Sequence, residues 1–137
     1  MSAEPEVLLV EDDADDVVIA RRAFQQSEIE EKLAVARDGN EALEYLQNPT
    51  HELPKVILLD LKMPLVDGFE VLERLRSDER TRDVPVVVVS TSARREDVES
   101  CYRLGANSFV VKQYSPFQPG RYLVDVARYW LTLNRLP

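Results

Sequence analysis

The sequence is poor in the residues that build most metal and redox sites. One cysteine, Cys101, and one histidine, His51, stand in 137 residues. A lone thiol cannot close an internal disulfide or join a multi-thiolate metal centre, and it suits a reducing compartment. His51 lies in a polar loop and reads as an exposed side chain, not as a phosphohistidine. Glycine is also scarce, and none of the four comes directly after the first apolar run, so a glycine-rich phosphate loop is missing there. No apolar stretch approaches the roughly 18 residues of a membrane span. The opening Met1-Ser2-Ala3-Glu4 lacks the basic start of a secretory signal. Positive charge is short too: 17 Lys and Arg against 25 Asp and Glu leave a net charge of −8. That balance argues against nucleic acid and anionic membrane as partners. Together with the length and the lack of any linker, repeat or low-complexity tract, these absences predict one cytoplasmic domain, 1–137.

Five short apolar runs are present instead: Val7-Leu8-Leu9-Val10, Leu33-Ala34-Val35-Ala36, Val56-Ile57-Leu58-Leu59, Val86-Val87-Val88-Val89 and Phe109-Val110-Val111. Three of them are continuous and rich in Val and Ile, as expected of strands buried on both faces of a parallel sheet. Between them, apolar residues recur at helical spacing: Val17, Ala20 and Phe24; Phe69, Leu72 and Leu75; Val98, Cys101 and Leu104. The last segment continues the pattern with Leu123, Val126, Trp130 and Leu133, a seam suited to the sheet, while Tyr122, Tyr129 and Leu131 fall off it. Asp38-Gly39-Asn40 and Asp67-Gly68-Phe69-Glu70 read as helix starts, the second resembling a capping box. The order is therefore (βα)5, an α/β doubly wound sheet joined by right-handed crossovers.

Polar residues close four of these runs. Glu11, Asp12 and Asp13 end the first, Asp60 the third, Ser90 and Thr91 the fourth, Lys112 the fifth. In an open parallel sheet all carboxyl ends share one edge, so these positions converge in one crevice. Carboxylates at 4 Å repel by roughly 4 kcal/mol per pair at an effective dielectric near 20, so the cluster requires positive charge. Lys112 supplies one unit. An all-oxygen donor set suits Mg²⁺ for the remainder. An aspartate beside a divalent cation, a hydroxyl and a lysine is equipment for attacking a phosphoryl group and holding the acyl phosphate.

Four segments, "LLVEDD", "LLDLKMPLVDG", "PVVVVSTS" and "GANSFVVKQ", resemble the signature stretches of response-regulator receiver domains, the CheY-like family of two-component signalling. The likeness covers nearly the whole chain. It implies a flavodoxin-like five-stranded parallel sheet in the order 2-1-3-4-5. It also implies that Asp60 accepts a phosphoryl group from a sensor histidine kinase, with Mg²⁺ as cofactor, and that the domain catalyses only its own phosphorylation and dephosphorylation. By the same resemblance, Asp12 and Asp60 are direct metal ligands, Glu11 acts through water, and Lys62 offers its backbone carbonyl. Ser90, five residues after Pro85, falls at the switch hydroxyl, Phe109 at the switch aromatic and Lys112 at the lysine of the last strand. Ser90 comes 30 positions after Asp60 and Lys112 a further 22, as in the family. Receivers usually place a cis proline after that lysine, whereas Gln113 stands here. A non-proline cis bond costs about 2.5–4 kcal/mol, so a trans peptide is expected. The ending "YWLTLNRLP", with "VSTS", is similar to stand-alone response regulators paired with bacterial phytochrome kinases, which carry no output domain and act on an unknown downstream protein.

Other readings compete. Asp13, Asp15 and Asp16 are expected to cap the first helix and remain solvated, the Lys62 side chain to be solvated, and Cys101 to be a buried thiol. A haloacid-dehalogenase-type aspartyl phosphatase would need an acid two residues after its nucleophile, where Lys62 stands. A flavodoxin-like cofactor-binding module would need a phosphate loop where the carboxylates stand. The extra aromatics of the last helix point to a homodimer through the fourth helix, fifth strand and fifth helix.

Overall fold

A computed structural model describes residues 5–136, so Met1 to Glu4 and the terminal Pro137 of the "YWLTLNRLP" segment lie outside the described residues. Five strands, β1 (Val7–Val10), β2 (Leu33–Ala36), β3 (Val56–Asp60), β4 (Val86–Ser90) and β5 (Ser108–Val111), alternate with five helices. The helices are α1 (Ala14–Gln25), α2 (Gly39–Gln47), α3 (Gly68–Ser77), α4 (Arg95–Arg103) and α5 (Arg121–Arg128). All neighbouring strands pair parallel in the order β2-β1-β3-β4-β5, as the sequence implied.

Alternation along the strands sorts the core into two layers. Leu8, Val10, Ile57, Leu59, Val86 and Val88 meet Leu43, Leu46, Val71, Leu72 and Cys101 of α2, α3 and α4. Val7, Leu9, Val56, Leu58, Val87 and Val89 meet Ala20, Phe24, Leu123, Val124 and Ala127 of α1 and α5. Strands β1, β3 and β4 are buried throughout, which is why they read as unbroken apolar runs, while β2 and β5 form the half-buried edges.

Helix starts are set by aspartates. The side chains of Asp13, Asp38 and Asp67 accept from the N–H groups of Asp16, Glu41 and Glu70 at 3.0, 2.7 and 3.0 Å, each cap contributing about 1 kcal/mol. Glu70 pairs with Arg74 at 2.9 Å. Helix α4 has no side-chain cap and buries only Cys101 fully.

Two sequence expectations need correction. On α5, Leu123, Val126 and Trp130 pack on the sheet layer as expected, but the fully buried residues are Leu123, Val124 and Ala127, Tyr122 and Leu131 join the packing, and Leu133 is 77% exposed. Small residues are favoured there because α5 packs beside α1, and Ala20, Ala23 and Ala127 permit the approach. A π turn over Tyr129–Leu133, closed by Asn134 N–H donating to the Tyr129 carbonyl at 2.7 Å, then unwinds the helix and carries Leu133 outward. His51, expected as a bare loop residue, is half-buried and stacks on Tyr45 with ring centroids 4.2 Å apart.

Arg76 is a fastening that no local pattern announces. Its guanidinium donates to the carbonyls of Gly105, Val84 and Arg82 and to Asn107 Oδ1, at 2.8–3.1 Å. It thereby ties the end of α3 to the α3–β4 and α4–β5 loops. Gly105 sits at φ 107°, and a Cβ there would meet the Arg76 side chain at 2.9 Å. Arg76→Ala is expected to lower stability by about 2 kcal/mol in urea denaturation, because charge-assisted bonds to carbonyls are lost together. Arg76→Lys should recover less than half of that, a point charge being unable to replace the planar fork.

Candidate functional site

The strand registers place the polar residues. Val10 lies opposite Leu59, Asp60 opposite Val89 and Ser90 opposite Val111, so Glu11, Asp60, Ser90 and Lys112 emerge together at the carboxyl edge. The ladder continues one step past the strands: Glu11 N–H donates to the Ala36 carbonyl at 3.0 Å and Lys112 N–H to the Ser90 carbonyl at 2.8 Å. The β3–α3 connection is equally fixed. Gly68 N–H donates to the Leu61 carbonyl at 2.9 Å, and a Cβ at Gly68 would strike the Asp60 carbonyl oxygen at 2.4 Å. Only glycine allows α3 to begin this close to the end of β3.

The result is a cleft of about 230 Å³ lined by Glu11, Asp12, Asp13, Asp16, Asp60, Lys62, Thr91, Lys112 and Tyr114. Carboxylate oxygens of Glu11, Asp12 and Asp60 all lie within 4.8 Å of one another. The Lys112 amine bonds Glu11 Oε1 and Asp16 Oδ2, both at 2.8 Å, and stands 3.7 Å from Asp60 Oδ2. Its side chain is only 7% exposed. Asp60 Oδ1 also faces the Lys62 N–H at 3.4 Å.

Electrostatics follow from this geometry. Burial, and then the Glu11 charge, push the Asp60 carboxyl up to about 7, against the pull of Lys112. Burial by itself would lower the lysine. Hydrogen bonds to Asp16 and Glu11 and the charges of Asp60 and Glu11 outweigh it, so Lys112 is held protonated well above its ordinary range. Three carboxylates, Glu11, Asp16 and Asp60, thus share one lysine, and Glu11, Asp12 and Asp60 present close-set hard oxygens, a donor set that fits a small divalent cation such as Mg²⁺ or Mn²⁺. Glu11, Asp12 and Asp60 would hold it.

Most residues singled out from the sequence arrive in this cleft, with differences in detail. Lys62 is exposed on the rim. Ser90 is fully buried, and its hydroxyl accepts the Ser92 N–H at 3.1 Å, while Thr91 lines the cleft in its place. Phe109 is half-buried against the α2–α3–α4 layer. Asp16 departs from expectation: it is not a solvated cap residue but a direct partner of Lys112, whereas Asp13 is the cap and Asp15 is exposed. Tyr114, not anticipated, also lines the cleft, and among the described residues no peptide bond is cis, as expected with Gln113 after Lys112. Cys101 is fully buried, and burial together with the Asp97 charge pushes its thiol up to about 11.

Comparison with known proteins agrees with this geometry. The sequence profile described as "Response regulator receiver domain" matches residues 7–119. The probable methanogenesis regulatory protein FilR2 of Methanothrix harundinacea (strain 6Ac) is 38% identical, the alignment covering 96% of this chain and 86% of that protein. Response regulator Rcp1 of Synechocystis is 32% identical over 96% of this chain and 92% of its own length. The Mn(2+)-bound form of Rcp1 superposes with a TM-score of 0.83 at 31% identity, covering 97% and 99% of the two chains. The phosphorylated cyanobacterial phytochrome response regulator RcpA superposes with a TM-score of 0.87 at 33% identity, covering 98% and 99%.

Proposed function

We propose, since the chain belongs to the response-regulator receiver family of two-component signalling, that it accepts a phosphoryl group on Asp60 from the phosphohistidine of a sensor kinase. The carrying observation is the placement of Asp60, 8% exposed as a side chain, among Glu11, Asp12 and the Lys112 amine at one cleft. An Asp60 oxygen attacks phosphorus as the P–N bond to the donor imidazole breaks, the electron pair leaving with the imidazole. Mg²⁺, held by Glu11, Asp12 and Asp60 with the Lys62 carbonyl, would neutralise phosphoryl oxygen charge. Lys112 stays protonated and balances the remaining charge. The domain thus catalyses its own modification and its reversal.

Ser90 and Phe109 would serve as the switch. Phosphorylation draws the buried Ser90 hydroxyl away from the Ser92 N–H toward the acyl phosphate, and Phe109 repacks on the strand beside it. Helix α4, with Cys101 as its one fully buried side chain, is the element such a shift can move at small cost. The kinase is of the bacterial phytochrome type, a reading supported by the likeness to Rcp1 and RcpA. No helix among the described residues is long and apolar enough to cross a membrane. The proposed setting is the cytoplasm, where a kinase makes its phosphohistidine from ATP. The chain works as one receiver domain.

Signalling passes through the α4–β5–α5 face to a second copy and to a downstream protein. Tyr102, Val111, Tyr129 and Leu133 are exposed there, beside a groove formed by Ser108, Val110, Val126 and Trp130. Light scattering should give a dimer, and Tyr129→Asp combined with Leu133→Asp should give a monomer that still takes phosphate. A wild-type monomer with and without phosphate would remove the dimer.

The phosphoacceptor reading is tested by incubation with labelled acetyl phosphate and Mg²⁺. An acid-stable, alkali-labile label of about one phosphate per chain, in the peptide containing Asp60, is expected. Continuous release of phosphate without accumulation would mark a turnover phosphatase.

A further inference from the structure

Lys112 is not placed symmetrically among its carboxylates. Its amine is at 2.8 Å from both Glu11 and Asp16 and at 3.7 Å from Asp60, beyond hydrogen-bond reach. Asp16 is the partner that draws it aside, because Asp16 alone of the three stands on α1, outside the Glu11, Asp12 and Asp60 cluster. Its backbone is held in place: its own N–H donates to the Asp13 cap at 3.0 Å, and the later turns of α1 pack against the sheet and α5. Two of the three ammonium donors are thereby committed before any phosphoryl group arrives.

We propose that Asp16 is a positioning residue that parks Lys112 against α1 in the unphosphorylated protein, and so slows phosphoryl transfer to Asp60 and shortens the life of the product. The inference rests on the phosphoacceptor reading given for Asp60. In transfer from acetyl phosphate, the bond from the donor's leaving oxygen to phosphorus breaks as the Asp60 oxygen–phosphorus bond forms, and Lys112 keeps its proton throughout. What changes is its distance: the amine must travel toward the new phosphoryl oxygens, and every contact it keeps with Asp16 opposes that travel. Removing the Asp16 charge frees the amine while leaving Glu11 to neutralise it.

The test compares wild type, Asp16→Asn, Asp16→Glu and Asp15→Asn with acetyl phosphate and Mg²⁺. Asp15→Asn removes the same charge from the same helical turn at an exposed position, so it reports through-space charge alone. Asp16→Asn should raise the phosphorylation rate at saturating donor roughly fivefold and lengthen the phosphate lifetime, the size expected for one charge-assisted bond shared with a second acceptor. Asp15→Asn should change the rate less than twofold, chiefly through the apparent KM, and Asp16→Glu should return the rate toward wild type. The Lys112 ammonium signal in ¹H–¹⁵N spectra should be sharp in wild type and broadened by exchange in Asp16→Asn. Equal effects of Asp16→Asn and Asp15→Asn, or a slower Asp16→Asn, would overturn the parking role while the labelled wild type kept its phosphoacceptor. An unlabelled wild type would overturn both.

Discussion

Asp60→Asn should take up no phosphoryl label from acetyl phosphate, and in metal-free buffer at pH 8 it should be more stable than wild type by about 2 kcal/mol. Both effects come from one carboxylate. The first needs only the loss of the attacking oxygen. The second stems from the folded protein's grip on a proton: Asp60 titrates near 7 in the fold, against an ordinary value of 3.8, through burial and the Glu11 charge. The folded state then binds more protons than the unfolded chain between about pH 4 and pH 7, so stability falls as pH rises through that window and the loss is complete above it. A shift of that size is worth roughly 4 kcal/mol in full, and solvent in the open cleft screens it to about half. Urea midpoints should therefore coincide for the two proteins at pH 4 and separate at pH 8. Millimolar Mg²⁺ should close the gap by raising wild type alone. A variant less stable than wild type at pH 8 would mean that the acidic cluster is not strained by its own charge.

Lys112→Ala acts in the opposite sense on the same group of charges. It removes the only cation bonded to Glu11 and Asp16 and near Asp60 among the described residues. Deleting one partner of a buried ion pair costs about 3–5 kcal/mol, since the others stay behind desolvated and uncompensated. The carboxylates can escape by taking up protons, so the destabilisation should be largest at pH 8 and shrink toward pH 5. Mg²⁺ should restore part of the stability, whereas phosphoryl transfer should stay slow because no fixed cation meets the new charge. Urea denaturation at the two pH values, with and without Mg²⁺, separates these contributions. A loss independent of pH would show that Lys112 acts through its packing and not its charge.

Glu11, Asp60 and Lys112 were legible as one cluster because each ends an apolar run, and parallel pairing carries every such end to one rim. Asp13 was legible because capping is local. Asp16 was not, since its partner lies 96 positions away and a first-turn acid on a helix already has a sufficient local explanation. Arg76 escaped for the same reason: its partners are mostly carbonyls, which leave no trace in residue type. On α5 the periodicity allowed two adjacent stripes. Side-chain volume against α1 decided between them, which a pattern of polarity does not encode.

The division of the core into two layers by alternation along each strand has a further consequence. Sliding β3 or β4 by one residue would exchange every inward side chain between the two helical layers, so the sheet tolerates no partial slip. Length variation must then be absorbed by the segments at the opposite rim, between each helix and the next strand. Of these, the segments leading into β2 and β3 lie outside the Arg76 clasp and are the natural places to graft a reporter or lengthen the chain, because whatever is inserted there is mechanically insulated from the phosphoryl chemistry by a lattice that can be correct or absent but not slightly displaced.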